Sequence, residues 1–343
     1  MELMGIKFAP LNIPMQRRLQ TLAAGLAVMT FIFSGVVGMF ILVYLIFFTH
    51  YWPEAIIYLI WIFALDNATS DRGGRRIEWV RKWKWWKYMK DYFPVRMERV
   101  PWVELDPKRN YLFCCFPHGI LPNGACSTFC CASSEFRSLF PQHKPHLMIL
   151  KMIFYFPLLR DLVLAAGMCS VNSESLNYIL EQPLGGNVAA VIIGGAEETF
   201  YAKPGHYNVV LKKRKGFIRI ALKNGAPLVP VFSFGEIDVY NQISNPKGSV
   251  VRRIQEWAKK LTGVVFAMPM GRGFLQYSFG IVPLRRPISM IIGQPIDVVK
   301  TENPTQEEVD AIHEKFIKGL IALFEEQKQY YVPNADKIKL NVI

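Results

Sequence analysis

The sequence predicts an α/β fold: a mixed-sheet domain carried on an N-terminal membrane-embedded helical hairpin. Three observations point there. From Leu22 to Phe48 nearly every residue is apolar and none carries a formal charge. Basic residues flank that block on both sides. After Pro94, short apolar runs bounded by glycine or proline alternate with amphipathic helical stretches.

Bulk composition narrows the class. Hydrophobic residues make up 51% of the 343, mean hydropathy is +0.18, and the formal charge is +13. Such a charge suits nucleic acid or an anionic membrane surface. A nucleic-acid binder has no use for the block at 22–48, so the expected partner is a lipid bilayer and no nucleic acid. The six cysteines lack CxxC spacing and five lie in one apolar region, with only His118 close by. They read as small buried hydrophobes, with no metal site and no disulfide framework, in a cytosol-facing protein.

Taken in order, residues 1–21 form a cytosolic segment ending near Arg17 and Arg18, and 22–66 form the hairpin. Its first limb is long enough for a hydrocarbon core of about 30 Å. The second limb, Ala55–Leu65, is too short to span alone, and the bend falls near Pro53. Arg17 and Arg18 before the hairpin, and Arg72, Arg75, Arg76, Arg81, Lys82, Lys84 and Lys87 after it, place both ends in the cytosol. Residues 67–91 read as a basic, aromatic interfacial helix with Trp79, Trp83 and Trp86 on one face.

Residues 92–343 form the remaining domain. Expected strands are Leu112–Phe116, Val188–Ile193, Leu228–Ser233 and Ile288–Ile292. Expected helices are Cys126–Phe140, Lys215–Asn224, Val250–Leu261 and Thr305–Gln329, the last opening on a capping box at Thr305 and Glu308. The stretch from Leu147 to Gly167 is more apolar than a soluble core needs. It reads either as a buried helix pair or as a surface lying on lipid or lining an acyl tunnel.

Two segments carry candidate chemistry. Phe116-Pro117-His118-Gly119 puts a histidine at the end of an apolar strand, either as a core histidine or as a general base near neutral pH. Ile193-Gly194-Gly195-Ala196-Glu197-Glu198 ends another such strand in a glycine turn with two carboxylates. These are either an acidic first helical turn or a partner for imidazole Nδ1–H. Lys212, Lys213, Arg214 and Lys215 form a cluster suited to phosphate, and Gly271-Arg272-Gly273 lets a guanidinium approach an anion. No Walker A loop, GxGxxG, GxSxG or zincin motif occurs.

In this order the segments resemble the type-2 diacylglycerol acyltransferase family, which includes monoacylglycerol and wax-alcohol acyltransferases. Tyr92-Phe93-Pro94, the His118 tetrad, Arg160-Asp161 with Gly167, Gly194 to Glu198, Arg214 to Phe217, Pro230 to Glu236 and Gly271 to Gly273 carry the likeness. It runs from about Tyr92 to near the C-terminus. It implies an acyl-CoA-dependent enzyme forming triacylglycerol from diacylglycerol in the endoplasmic reticulum membrane, and a lipid droplet location is compatible with the hairpin. Acyl-CoA is then a cosubstrate and no cofactor is needed. His118 becomes the general base, Glu198 its orienting acid and Gly119 an oxyanion donor. Arg272, Arg214, Lys215, Gly194 and Gly195 become substrate-binding residues. Phe116 stands where the family usually has histidine, so proton transfer falls to His118 and Phe116 is packing. Asn123 stands five residues after His118, so the His-x4-Asp pairing of soluble-type glycerolipid acyltransferases is absent. Monoacylglycerol or a long-chain alcohol as acceptor, a non-catalytic lipid-binding membrane protein, and a homo-oligomer remain compatible with the residues.

Overall fold

The computed structural model describes residues 2–10, 12–101, 103–242, 246, 248–262, 265 and 269–343. Helix α1 (Met15–Phe48) begins earlier than the apolar block and is 34 residues long. At 1.5 Å per residue that is about 51 Å, more than a bilayer core requires. Helix α2 (Trp52–Ile60) follows a three-residue bend and continues as a wider π-type turn over Trp61–Leu65. The two limbs return on each other. A Cβ added at Gly38 would fall 2.5 Å from the Pro157 carbonyl, and Tyr58 Oη accepts from the next N–H, that of Leu158, at 3.2 Å. Both residues stand ten positions from Phe48, on opposite sides of the bend, so the chain enters and comes back as a hairpin.

The expected interfacial helix is instead broken. A single turn (Glu78–Arg81) precedes helix α3 (Lys84–Tyr92), with Trp83 extended between them. Trp79 is exposed, but Trp86 is buried and Arg81 is buried, with Nη1 donating to the carbonyls of Phe129 and Ala166. Buried groups that satisfy backbone carbonyls hold the core together. This segment is therefore partly scaffold rather than a lipid-facing stripe.

The domain is built on one seven-stranded mixed sheet. Its strands are β1 (Arg96–Arg99), β2 (Tyr111–Phe116), β3 (Lys144–Ile149), β4 (Met168–Ser170), β5 (Asn187–Ile192), β6 (Leu228–Phe234) and β7 (Ser289–Ile292). Their spatial order is β1-β7-β6-β2-β5-β3-β4. From β6 to β4 all neighbours run parallel; β7 runs antiparallel to β6, and β1 is parallel to β7. Every residue of β2 and β6 is buried, which is why they read as unbroken apolar runs.

Helices cover both faces. Along β2, Phe113 packs against Phe129 of α4 (Asn123–Phe129) at 6.4 Å, while Phe116 packs against Phe316 at 6.2 Å. Residues three apart on a strand point to opposite faces. The remaining helices are α5 (Leu159–Ala165), α6 (Ser173–Leu180), α7 (Gly216–Asn224), α8 (Val250–Thr262) and α9 (Gln306–Tyr331), the last carrying Phe316. The capping box forms as expected, with Thr305 and Glu308 each bonding the other's backbone N–H. The expected helix Cys126–Phe140 is not continuous: α4 stops at Phe129, and a second turn covers Phe136–Leu139. Nor is Leu147–Gly167 a helix pair. It begins as a strand, passes through a 3-10 turn (Lys151–Tyr155) and ends in α5.

Candidate active site

Parallel neighbours end at the same edge of a sheet, and the three central strands use this. β5, β2 and β6 lie side by side and run the same way. Beyond their C-terminal ends come Glu198, His118 and Glu236 respectively. Crevices outside the carboxyl ends of parallel strands are where open α/β sheets bind ligands.

His118 follows the cis Phe116–Pro117 peptide and precedes Gly119, whose φ is +63°. That left-handed backbone suits glycine, and a Cβ there would also come within 3.1 Å of Glu236 Cγ. The imidazole is half-buried, and its Nδ1 lies 3.2 Å from the Gly119 carbonyl. A carbonyl can only accept, so in the neutral ring Nδ1 carries the hydrogen and Nε2 keeps its lone pair. Burial lowers the His118 pKa below the ordinary histidine value, with the Gly119 hydrogen bond opposing. The neutral form is the one a general base requires.

The expected contact between Glu198 and Nδ1 is replaced by another. Glu198 Oε2 accepts from the backbone N–H of His118 at 2.7 Å, and Oε1 accepts from that of Val210 at 2.7 Å. The carboxyl is buried and positions the chain beneath the ring, not the ring itself. Gly194 makes room for it, since a Cβ there would lie 1.9 Å from Glu198 Cδ. Burial raises the Glu198 pKa to about 8, the two N–H donors opposing the rise.

Glu236 is the residue that sequence reading missed. It is buried, and its Oε1 and Oε2 accept from the backbone N–H groups of Asn123 and Gly124 at 2.8 and 2.9 Å. Its pKa also rises to about 8 through burial, against the pull of those donors. The signal was present: Gly235-Glu236 directly follows an apolar strand, as Gly194 to Glu198 does.

A diacylglycerol acyltransferase model matches residues 44–341. The chain belongs to the diacylglycerol acyltransferase family. It is 43% identical to bovine (Bos taurus) 2-acylglycerol O-acyltransferase 1 over 98% of this chain and 99% of that one. Identity with diacylglycerol O-acyltransferase 2 of Dictyostelium discoideum is 40% over 94% of this chain and 96% of that one. With acyl-CoA wax alcohol acyltransferase 2 of Mus musculus it is 39% over 83% and 85%.

In this family member the other expected residues divide into two groups. Arg214 joins the site's margin: Nη2 donates to the Gly194 carbonyl at 3.3 Å and to Glu197 Oε2 at 3.1 Å. Lys259 also reaches Glu197, at 3.2 Å. Gly195 has φ +58° and open space where a Cβ would stand. Lys215 turns away to Asp310 of α9 at 2.6 Å. Arg272 lines a separate cavity with Arg17, Arg18 and Arg285. Its flanking glycines serve chain packing, because a Cβ at Gly271 would lie 2.1 Å from the Val282 carbonyl. Among the described residues no cluster of histidine, cysteine or acidic groups suits a metal ion.

Proposed function

We propose that this chain transfers the acyl group of acyl-CoA to a free hydroxyl of an acylglycerol, with His118 as general base. One observation carries the reading: a half-buried imidazole stands just beyond the C-terminal ends of the three central strands with Nδ1 3.2 Å from the Gly119 carbonyl, an arrangement that leaves the Nε2 lone pair of a neutral ring to accept a proton. Nε2 takes the acceptor's hydroxyl proton as the oxygen attacks the thioester carbon. The tetrahedral intermediate collapses with C–S cleavage, and the imidazolium returns the proton to the CoA thiolate. The Gly119 N–H donates to no described protein group, which supports it as a donor to the oxyanion. Direct transfer is favoured over an acyl-enzyme. Cys114 and Cys115 are buried within the sheet, and burial pushes both thiols well up. Arg214 beside Gly194 and Glu197 is the cation best placed to meet a CoA phosphate.

Diacylglycerol is the acceptor expected from the sequence. A second reading, monoacylglycerol, has a specific observation in its favour: the identity of 43% with a 2-acylglycerol acyltransferase over nearly both chains. The reading places the enzyme in the endoplasmic reticulum membrane, both termini cytosolic, with the bilayer supplying the acceptor.

Labelled oleoyl-CoA, microsomes carrying the chain, and a panel of mono-, diacylglycerol and long-chain alcohol acceptors test the reading by thin-layer chromatography. His118→Ala at equal protein level is expected to lose about 10²–10⁴-fold in turnover, the usual span of general-base action. Near-normal turnover of that variant rejects the base. Absence of transfer by the unaltered chain to every acceptor favours a lipid-binding protein instead.

A further inference from the structure

A cavity of about 430 Å³ lies between the first turns of α1 and the segment 272–285, apart from the His118 turn. Four arginines line it: Arg17, Arg18, Arg272 and Arg285. None of its described lining residues is acidic. Arg272 donates to the carbonyls of Gly273 and Phe274 and stacks 4.2 Å over Tyr277. Arg285 donates to Gln20 Oε1 at 2.6 Å and lies 4.4 Å from the Tyr92 ring centre. These contacts orient the guanidinium groups without neutralising them. Burial lowers the Arg285 pKa first; Tyr92 opposes this, and the charges of Arg17 and Arg272 add to the lowering. Guanidinium groups gathered in one cavity repel one another, and an anion among them relieves that repulsion.

Much of the remaining lining is apolar. Leu19, Leu22, Phe274 and Leu275 line the same cavity, and Leu22 and Leu275 are exposed. Along α1 this wall runs on to exposed Leu26 and Met29. The continuous apolar block begins at Leu22, so the arginines stand one turn outside the hydrocarbon, at headgroup depth. A phosphate with fatty chains attached fits a site that is cationic at one end and opens onto a lipid-facing helix at the other.

We propose that this cavity binds the phosphate of an acidic glycerophospholipid, its acyl chains lying along α1. The phosphates of CoA share the headgroup's chemistry but not the chains. Nor does any residue of the His118 turn, the 194–201 segment or Glu236 line the cavity.

The test uses the delipidated full-length chain in neutral detergent micelles, titrated with dioctanoyl phosphatidate and read by native mass spectrometry. Phosphatidate is expected to bind at least tenfold more tightly than dioctanoyl phosphatidylcholine. Arg272→Gln and Arg285→Gln should each weaken it about fivefold, as one interfacial cation does. Arg272→Lys should keep most of the affinity, and Arg219→Gln, outside the cavity, all of it. Thermal midpoints without lipid show that each variant is folded, and the unaltered chain's choice between the two lipids stands even where a variant is not. Equal binding of the two lipids, or arginine variants with unchanged affinity, overturns the proposal. So does displacement of phosphatidate by 3′,5′-ADP with the same arginine dependence, which would assign the cavity to CoA.

Discussion

The His118 turn and the root of the hairpin both hold carboxylates, and they satisfy them in opposite ways. Glu198 and Glu236 accept hydrogen bonds from four backbone N–H groups and, among the described residues, form no ion pair. Asp66 and Asp161, where α2 ends and α5 begins, are clasped by guanidinium groups. Arg75 bridges them at 3.1 and 2.8 Å, and the buried Arg160 does so at 2.7 and 3.4 Å. An N–H donor fixes the path of a chain at close range and brings no full charge. An arginine joins two elements and brings the counter-charge with it. The first arrangement shapes a loop finely and leaves its acids with raised pKa values. The second is a latch between the apolar hairpin and the domain.

The contrast breaks first at Arg160. Arg160→Met removes the buried one of the two guanidinium partners of Asp66 and leaves Arg75 in place, so the cost is that of a charge-assisted hydrogen bond, about 1.5–3 kcal/mol. Chemical denaturation in detergent is expected to show a loss of that size. A loss below about 1 kcal/mol means that Arg75 alone satisfies Asp66, and Arg160 is not what holds the hairpin.

The turn is tested by pH. A carboxyl with a folded pKa near 8 and an unfolded value near 4.5 holds its proton longer when folded. Its contribution to stability therefore falls as pH rises from about 4.5 through about 8. Half-buried His118 and buried His146, both with lowered pKa, push the total the other way over part of that range. The informative quantity is thus the difference from the unaltered chain. Glu198→Gln and Glu236→Gln should each gain in thermal midpoint relative to it between pH 5 and pH 8. A constant offset across that range would show both acids already ionised.

The smallest expected effect is at Tyr58, whose hydroxyl donates to Asp161 Oδ2 at 2.5 Å while accepting from Leu158. Tyr58→Phe should cost about 0.5–1.5 kcal/mol in the same denaturation series. A cost like that of Arg160→Met would make the hydroxyl, not the ion pairs, the principal tie.

The central strands were legible because burial on both faces leaves unbroken apolar runs. β1 was not: Arg96-Met97-Glu98-Arg99 is an edge strand with only Met97 fully buried. β3 was hidden by Lys144, Pro145 and His146, and it merged with the apolar stretch that follows. At the site, the histidine and both glycine turns could be read from residue type and position. The partner of each carboxyl could not, because sequence places an acid near a turn without saying whether it meets a ring or a backbone N–H. The interfacial stripe failed for a related reason. Tryptophan beside lysine suits a headgroup region, but Trp85 Nε1–H donates to the Ala23 carbonyl of α1 and Trp86 to that of Val80.

That last contact bears on how the protein is made. The inner turns of α1 belong to the domain's own interior: Ala24 lies in the main core, and Gly25 sits against Phe274 and Val282. Among the described residues the same helix is the one long and apolar enough to cross a bilayer. Any insertion of this helix and the folding of the domain therefore share a component. The catalytic body cannot finish closing until α1 is delivered, and a chain begun after the hairpin would turn Trp85, Phe274 and Val282 toward water. Removing α1 is thus expected to yield an insoluble fragment, not a soluble enzyme, because the helix that could cross a bilayer is also one the catalytic body needs in order to close.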